Sequence, residues 1–130
     1  MDKELKNAVI ALESGETILY PTDTVWGIGC DALSDNATKK IFKLKKRDYS
    51  NGLICLASNF EMISKYANIS VIEKLIQISD DSPTTFIFDN PKDISNFVLG
   101  NNSSIAFRVP KNNFCLSLIE TFGKPIVSTL

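Results

Sequence analysis

Residues 17–32 read Thr-Ile-Leu-Tyr-Pro-Thr-Asp-Thr-Val-Trp-Gly-Ile-Gly-Cys-Asp-Ala, and a short basic segment, Lys43-Leu-Lys45-Lys-Arg47, follows eleven residues on. The apolar run Thr17–Tyr20 reads as a strand that opens into a loop dense in hydroxyls and glycines. An α/β sheet presents a small-molecule site in this way, at the carboxyl end of a strand. The basic segment offers cations to whatever anion lies there, and phosphate is the obvious candidate.

Helix and strand signals alternate on either side. Leu5, Val9 and Leu12 share one face of a helix over residues 3–13, with Gly15 just beyond as a stop. Ser34 is placed to cap a helix running to about Lys46, with Ala37, Ile41 and Leu44 inward and most lysines outward. Leu53–Ala57 is a continuous apolar run and reads as a buried strand. Ser58-Asn-Phe-Glu61 and Ser70-Val-Ile-Glu73 match the capping box and predict two short helices. Thr84–Phe88, Ser104–Val109 and Ile126–Thr129 are further strands, Asn113–Thr121 is a helix ended by Gly123, and Asn90-Pro91 and Gly100-Asn-Asn are turns. No repeat, low-complexity tract or linker interrupts this order. The expectation is one α/β domain over residues 1–130. Strand order is not legible from the pattern.

Composition narrows the class. The 130 residues are 44% apolar and 22% charged with a net charge of −1, an ordinary globular balance. That charge argues against coating nucleic acid by bulk electrostatics, although six of the 14 basic residues fall between Lys39 and Arg47. The chain has no histidine, and its three cysteines form no C-x-x-C pair, which disfavours a zinc site or a histidine-dependent triad. Cys55 and Cys115 lie in apolar surroundings and read as small core residues. The start carries no long apolar segment and no run approaches membrane-spanning length, so a reduced cytoplasmic compartment is expected.

Thr22, Asp23 and Thr24 combine donors and acceptors suited to ammonium, carboxylate or carbonyl ligands, or else bond to nearby amides of a turn. Gly27 and Gly29 either let a ligand approach the backbone or supply positive φ. Lys45 and Arg47, two apart, converge only if the helix ends near Lys46 and Arg47 enters the loop Asp48-Tyr-Ser-Asn-Gly52. A lysine point charge and a guanidinium fork would then hold polyphosphate, with Asn51 in reach. Arg108, before Pro110, is either a carboxylate grip or a snorkelling edge residue. No nucleophile with an adjacent base emerges. The site reads as one that binds and orients charged reactants, with electrostatic stabilisation and no covalent intermediate.

Tyr20-Pro-Thr-Asp-Thr-Val-Trp-Gly-Ile-Gly29 resembles the Y-P-T-[ED]-[TA]-V-[YFW]-G-[LIV]-G signature of the YrdC/Sua5/TsaC family of L-threonylcarbamoyladenylate synthases. Lys45-Lys-Arg47 matches its K-x-R, Asn51-Gly-Leu53 the N-P-L or K-G-L that follows, and Ser82-Pro-Thr-Thr85-Phe-Ile-Phe the P-G-P-x-T strand. Ser104-Ile-Ala-Phe-Arg108-Val-Pro resembles S-x-A-x-R-x-P, and Gly123-Lys-Pro-Ile-Val-Ser128-Thr129 the start of G-K-P-[IL]-V-S-T-S-A-N. Departures are Asp48 where many members have proline, Asp80-Asp-Ser-Pro83 without the first proline-glycine of P-G-P, and Leu130 where the third serine of S-T-S-A-N would stand. The last of these leads to the expectation of a domain C-terminally incomplete relative to the family.

The resemblance implies a twisted mixed sheet with flanking helices around a positively lined cavity. It implies synthesis of threonylcarbamoyl-AMP and pyrophosphate from L-threonine, bicarbonate and ATP, with Mg2+ accompanying ATP and no metal site on the protein. The product would pass to the machinery that builds threonylcarbamoyladenosine in tRNA. Thr22, Thr24 and Arg108 would bind threonine. Lys45, Arg47, Asn51, Thr85 and Ser128 would bind the nucleotide, with Lys45 and Arg47 acting in catalysis. The competing reading is a truncated, catalytically impaired relative that binds nucleotide or structured RNA, such as tRNA or double-stranded RNA, through the Lys39–Arg47 face.

Overall fold

A computed structural model describes residues 2–21, 26–81 and 84–129. In chain order the elements are α1 (Lys3–Glu13), β1 (Ile18–Pro21), β2 (Trp26–Asp31), α2 (Asp35–Lys45), β3 (Ile54–Leu56) and α3 (Phe60–Ser64). They continue with α4 (Ile72–Asp81), β4 (Thr85–Asp89), α5 (Asn96–Leu99), β5 (Ser104–Arg108), α6 (Asn113–Phe122) and β6 (Ile126–Thr129). The six strands form one sheet in the order β1-β2-β6-β3-β5-β4. Only β3 and β5 run parallel; every other neighbouring pair is antiparallel. The expected mixed α/β sheet with flanking helices is what forms.

The pleat sorts side chains into two faces. Cys30, Val127, Cys55, Phe107 and Phe86 stand in one cross-strand row. That face meets Ala37, Ile41 and Phe42 of α2, Phe60 and Ile63 of α3 and Val98 of α5 in the larger core. On the other face Tyr20, Ile126 and Leu56 pack beneath α1 and α6 through Leu12, Leu118, Ile119 and Phe122. These two helices cover only part of their face. The row Ser128–Ile54–Ala106–Ile87 lies beyond them, and Ile54 and Ile87 are 39% and 68% exposed.

Several local signals read as expected. Ser34 accepts from the Ala37 amide at 3.1 Å and caps α2, and Gly123 ends α6 in the left-handed region at φ 83°. Others need correction. Residues 26–31 are not loop but β2, paired with β1, because alternate side chains from Gly27 to Asp31 fill both faces of the sheet. Ala37 and Ile41 are buried as expected, but Leu44 is 61% exposed, and Thr38 and Phe42 complete the inward side of α2 in its place. Asn59, not Ser58, caps α3, its side chain accepting from the Met62 amide at 2.8 Å. The four-residue α5 lies in a stretch with no predicted helix.

Cys30, Cys55 and Cys115 are all buried, and none forms a disulfide among the described residues. Burial pushes the Cys30 thiol up to about 12, against a weaker opposing effect of Thr38, and burial moves Cys55 in the same direction. Since the thiolate is the reactive species, native protein near neutral pH is expected to leave these two thiols unmodified by a soluble disulfide reagent, and denatured protein to react fully. Rapid labelling of Cys30 or Cys55 in folded protein would contradict the packing described here.

Candidate functional site

The open part of the second face carries three of the predicted residues, Thr85, Arg108 and Ser128. Arg108 ends β5 opposite Thr85, the first residue of β4. Its Nε and Nη2 both donate to Thr85 Oγ1, at 3.1 and 3.0 Å. The two hydrogen bonds fix the guanidinium against Thr85 and leave it further N–H donors. Ser128 stands on the same face one row further on, between Gly29 of β2 and Ile54 of β3. A shallow cavity of about 210 Å3 opens beside this row, lined by Gly52, Ile54, Ile87, Leu99, Ser104 and Ala106 among others.

The loop of residues 47–52 borders that cavity where β3 begins. Lys46 takes the left-handed conformation at φ 51°, so α2 stops and Arg47 leaves the helix, as the spacing of Lys45 and Arg47 required. Arg47 Nη2 donates to the Gly52 carbonyl at 2.7 Å and is thereby held at the start of β3. Lys45 is exposed in the last turn of α2, whose packed side meets the opposite face of the sheet from Arg108. Asn51 is exposed in the 47–52 loop.

Local hydrogen bonds and ring packing fix the loop's shape. The Asp48 carboxylate accepts from the Ser50 amide at 2.9 Å, which holds its pKa below the usual carboxylate range. Tyr49 stacks between Phe42 and Phe97, with ring centroids 4.9 and 5.5 Å away, and Lys39 Nζ sits 4.9 Å over the Phe97 ring. The Asn101 amide donates to the Ser50 carbonyl at 3.0 Å. Gly100, at φ 63°, lies so close that an added Cβ would be 2.5 Å from Ser50 O and 2.8 Å from Gly52 N. Sequence reasoning read Gly100 only as a turn and did not single out Tyr49. The signal available was an exposed aromatic inside a polar loop.

The structure therefore brings Thr85 and Arg108 into contact, sets Ser128 on their face, and anchors Arg47 and Asn51 at the rim. Thr22 and Thr24 lie outside the described residues. Gly27 and Gly29 have no positive φ, and Gly29 instead makes room for the Tyr20 ring. Among the described residues no group of three or more His, Cys, Asp or Glu side chains could hold a metal ion.

The profile of the Sua5/YciO/YrdC family, described as "Telomere recombination", matches residues 10–129. The chain belongs to this family. It is 40% identical over 129 residues to a protein of Photobacterium profundum named threonylcarbamoyl-AMP synthase, covering 96% of this chain and 70% of the relative. An Enterobacter protein of the same name is 36% identical, again over 96% of this chain and 68% of the relative. P. abyssi Sua5, solved in complex with L-threonine, superposes with a TM-score of 0.86 at 28% identity, over 97% of this chain and 38% of Sua5. The chain thus spans about two fifths of that longer protein. No helix among the described residues is long and apolar enough to cross a membrane.

Proposed function

We propose that this member of the family carries the threonylcarbamoyl-AMP synthase reaction, converting L-threonine, bicarbonate and ATP to threonylcarbamoyl-AMP and pyrophosphate. The 40% identity to a relative of that name, over nearly the whole chain, carries the reading. The geometry supports it, since the open face offers cations and hydroxyls and, among the described residues, no histidine-based nucleophile. In this reading a carbamate oxygen of N-carboxythreonine attacks the α-phosphorus. The new P–O bond replaces the α–β bridge bond, and pyrophosphate leaves with the electron pair. Little covalent chemistry falls to the protein, and catalysis is positioning and charge stabilisation.

Arg47 and Asn51 at the rim take the triphosphate together with its magnesium, and Lys45, in the last turn of α2, is assigned to the same phosphates on its place in the motif alone. Ser128 and Thr85 line the nucleotide's course across the face. Arg108, oriented by Thr85, takes the threonine carboxylate, with Thr22 and Thr24 of the β1–β2 connection completing that subsite. Delivery of the product to tRNA would place RNA or the downstream transfer machinery near the Lys39–Arg47 surface, in the cytoplasm.

The test is release of pyrophosphate from ATP that depends on both threonine and bicarbonate. Dependence on both is expected. ATP binding without any threonine-dependent release would instead favour a nucleotide-binding relative.

A further inference from the structure

Tyr20 is fully buried beneath α1 and α6, and its hydroxyl has no partner at standard hydrogen-bond geometry, although the Ser128 side chain lies close enough to act on it. Buried hydroxyls without a partner are uncommon, and a phenylalanine would fill the same apolar space without that cost. The position of the ring points to what the hydroxyl is for. A Cβ added at Gly29 would lie 2.6 Å from Tyr20 Cε1 and 3.3 Å from Cζ, so the hydroxyl-bearing end of the ring rests over Gly29. The cross-strand partner of Gly29 is Ser128, whose row continues onto the open face. Burial raises the phenol's pKa far above its ordinary value, and the neighbouring Ser128 side chain opposes that shift. Tyr20 therefore keeps its proton throughout the physiological range and can act only as a neutral donor or acceptor.

We propose that Tyr20 is a positioning residue that acts through Ser128. Its O–H donates to Ser128 Oγ, which turns the serine proton outward, toward an anionic ligand oxygen on the open face. Each hydrogen bond in such a chain polarises the next. Such a bond gives the buried hydroxyl a partner, and the bare backbone at Gly29 lets the ring lie where it can reach Ser128. The identity of the ligand rests on the reading above, in which Ser128 faces the nucleotide, so ATP is the probe.

The experiment compares the unaltered chain, Tyr20→Phe, Ser128→Ala and the double variant by thermal melting and by calorimetric titration with ATP. Tyr20→Phe is expected to melt at or above the parent temperature while its Kd for ATP rises about five- to tenfold. In the Ser128→Ala background the same substitution is expected to change Kd no further, the non-additivity of two groups acting as one. A purely structural tyrosine would move stability and affinity together. ATP affinity in Tyr20→Phe equal to the parent's, or a loss that adds fully to that of Ser128→Ala, overturns the proposal while leaving the synthase reading intact. A parent chain with no affinity for ATP overturns the nucleotide reading of the face and this inference with it.

Discussion

Arg47→Ala is expected to weaken ATP binding by one to two decades, whereas Lys39→Ala should change it by less than about threefold. Arg47 is held at the start of β3 by its bond to the Gly52 carbonyl, beside the cavity. Its remaining donors face the rim, where a phosphate would replace water. Losing a charged hydrogen bond of this kind costs roughly 1.5–3 kcal/mol, which sets the expected range. Lys39 belongs to the same basic segment, but its ammonium lies over the Phe97 ring and supports the loop from behind. An exposed cation–π contact is worth about 0.5–1 kcal/mol, and here that falls on stability more than on the ligand. Calorimetric titration of both variants at two salt concentrations separates the readings. Equal losses, each erased by moderate salt, would mean that the segment is a diffuse surface for nucleic acid and not a phosphate grip.

The second large effect is expected at Gly100. Its φ of 63° and ψ of −132° fall where essentially only glycine is comfortable, and the three atoms nearest an added Cβ are all backbone: Ser50 O, Gly52 N and Asn51 C. Backbone cannot swing aside as a flexible side chain can. Gly100→Ala should therefore combine a conformational cost of about 1–3 kcal/mol with a similar cost of overpacking, for a loss of about 2–5 kcal/mol. The strain falls on the loop that carries Asn51 and connects Arg47 to β3, so a folded fraction should also bind ATP more weakly. Chemical denaturation gives the first quantity and titration of the residual native protein the second. A variant as stable as the parent would show that the loop does not rest on Gly100 as described.

Much of this architecture was legible in the residues because short-range chemistry decides it. Ser34 before an acidic first turn, and Gly123 after an apolar stripe, mark helix ends whatever surrounds them. The exit of Arg47 from α2 followed from two cations spaced wrongly for one helical face. The misses have a common origin in long-range pairing. Trp-Gly-Ile-Gly looks like loop until its backbone pairs with β1, and Ser128 and Val127 come opposite Gly29 and Cys30 only when β6 lies alongside. Leu44 fits the helical period but meets no sheet, since α2 turns Phe42 toward the core and Tyr49. Of the site, the motif residues Thr85, Arg108 and Ser128 were individually visible. Their shared face was not, because it depends on the strand order.

That order carries a kinetic consequence. β1 and β2 can form a hairpin early, and β3, β5 and β4 can assemble on their own side, but neither set hydrogen-bonds to the other. They meet only across β6, which follows every other described strand in the chain and sits third in the sheet. The two part-sheets must wait with open edges until residues 126–129 arrive between them. Non-local closure of this kind is slow, and unpaired edges invite pairing with other molecules in the interval. During synthesis, the span in which this protein is most vulnerable to aggregation is the one between completion of β5 and emergence of β6.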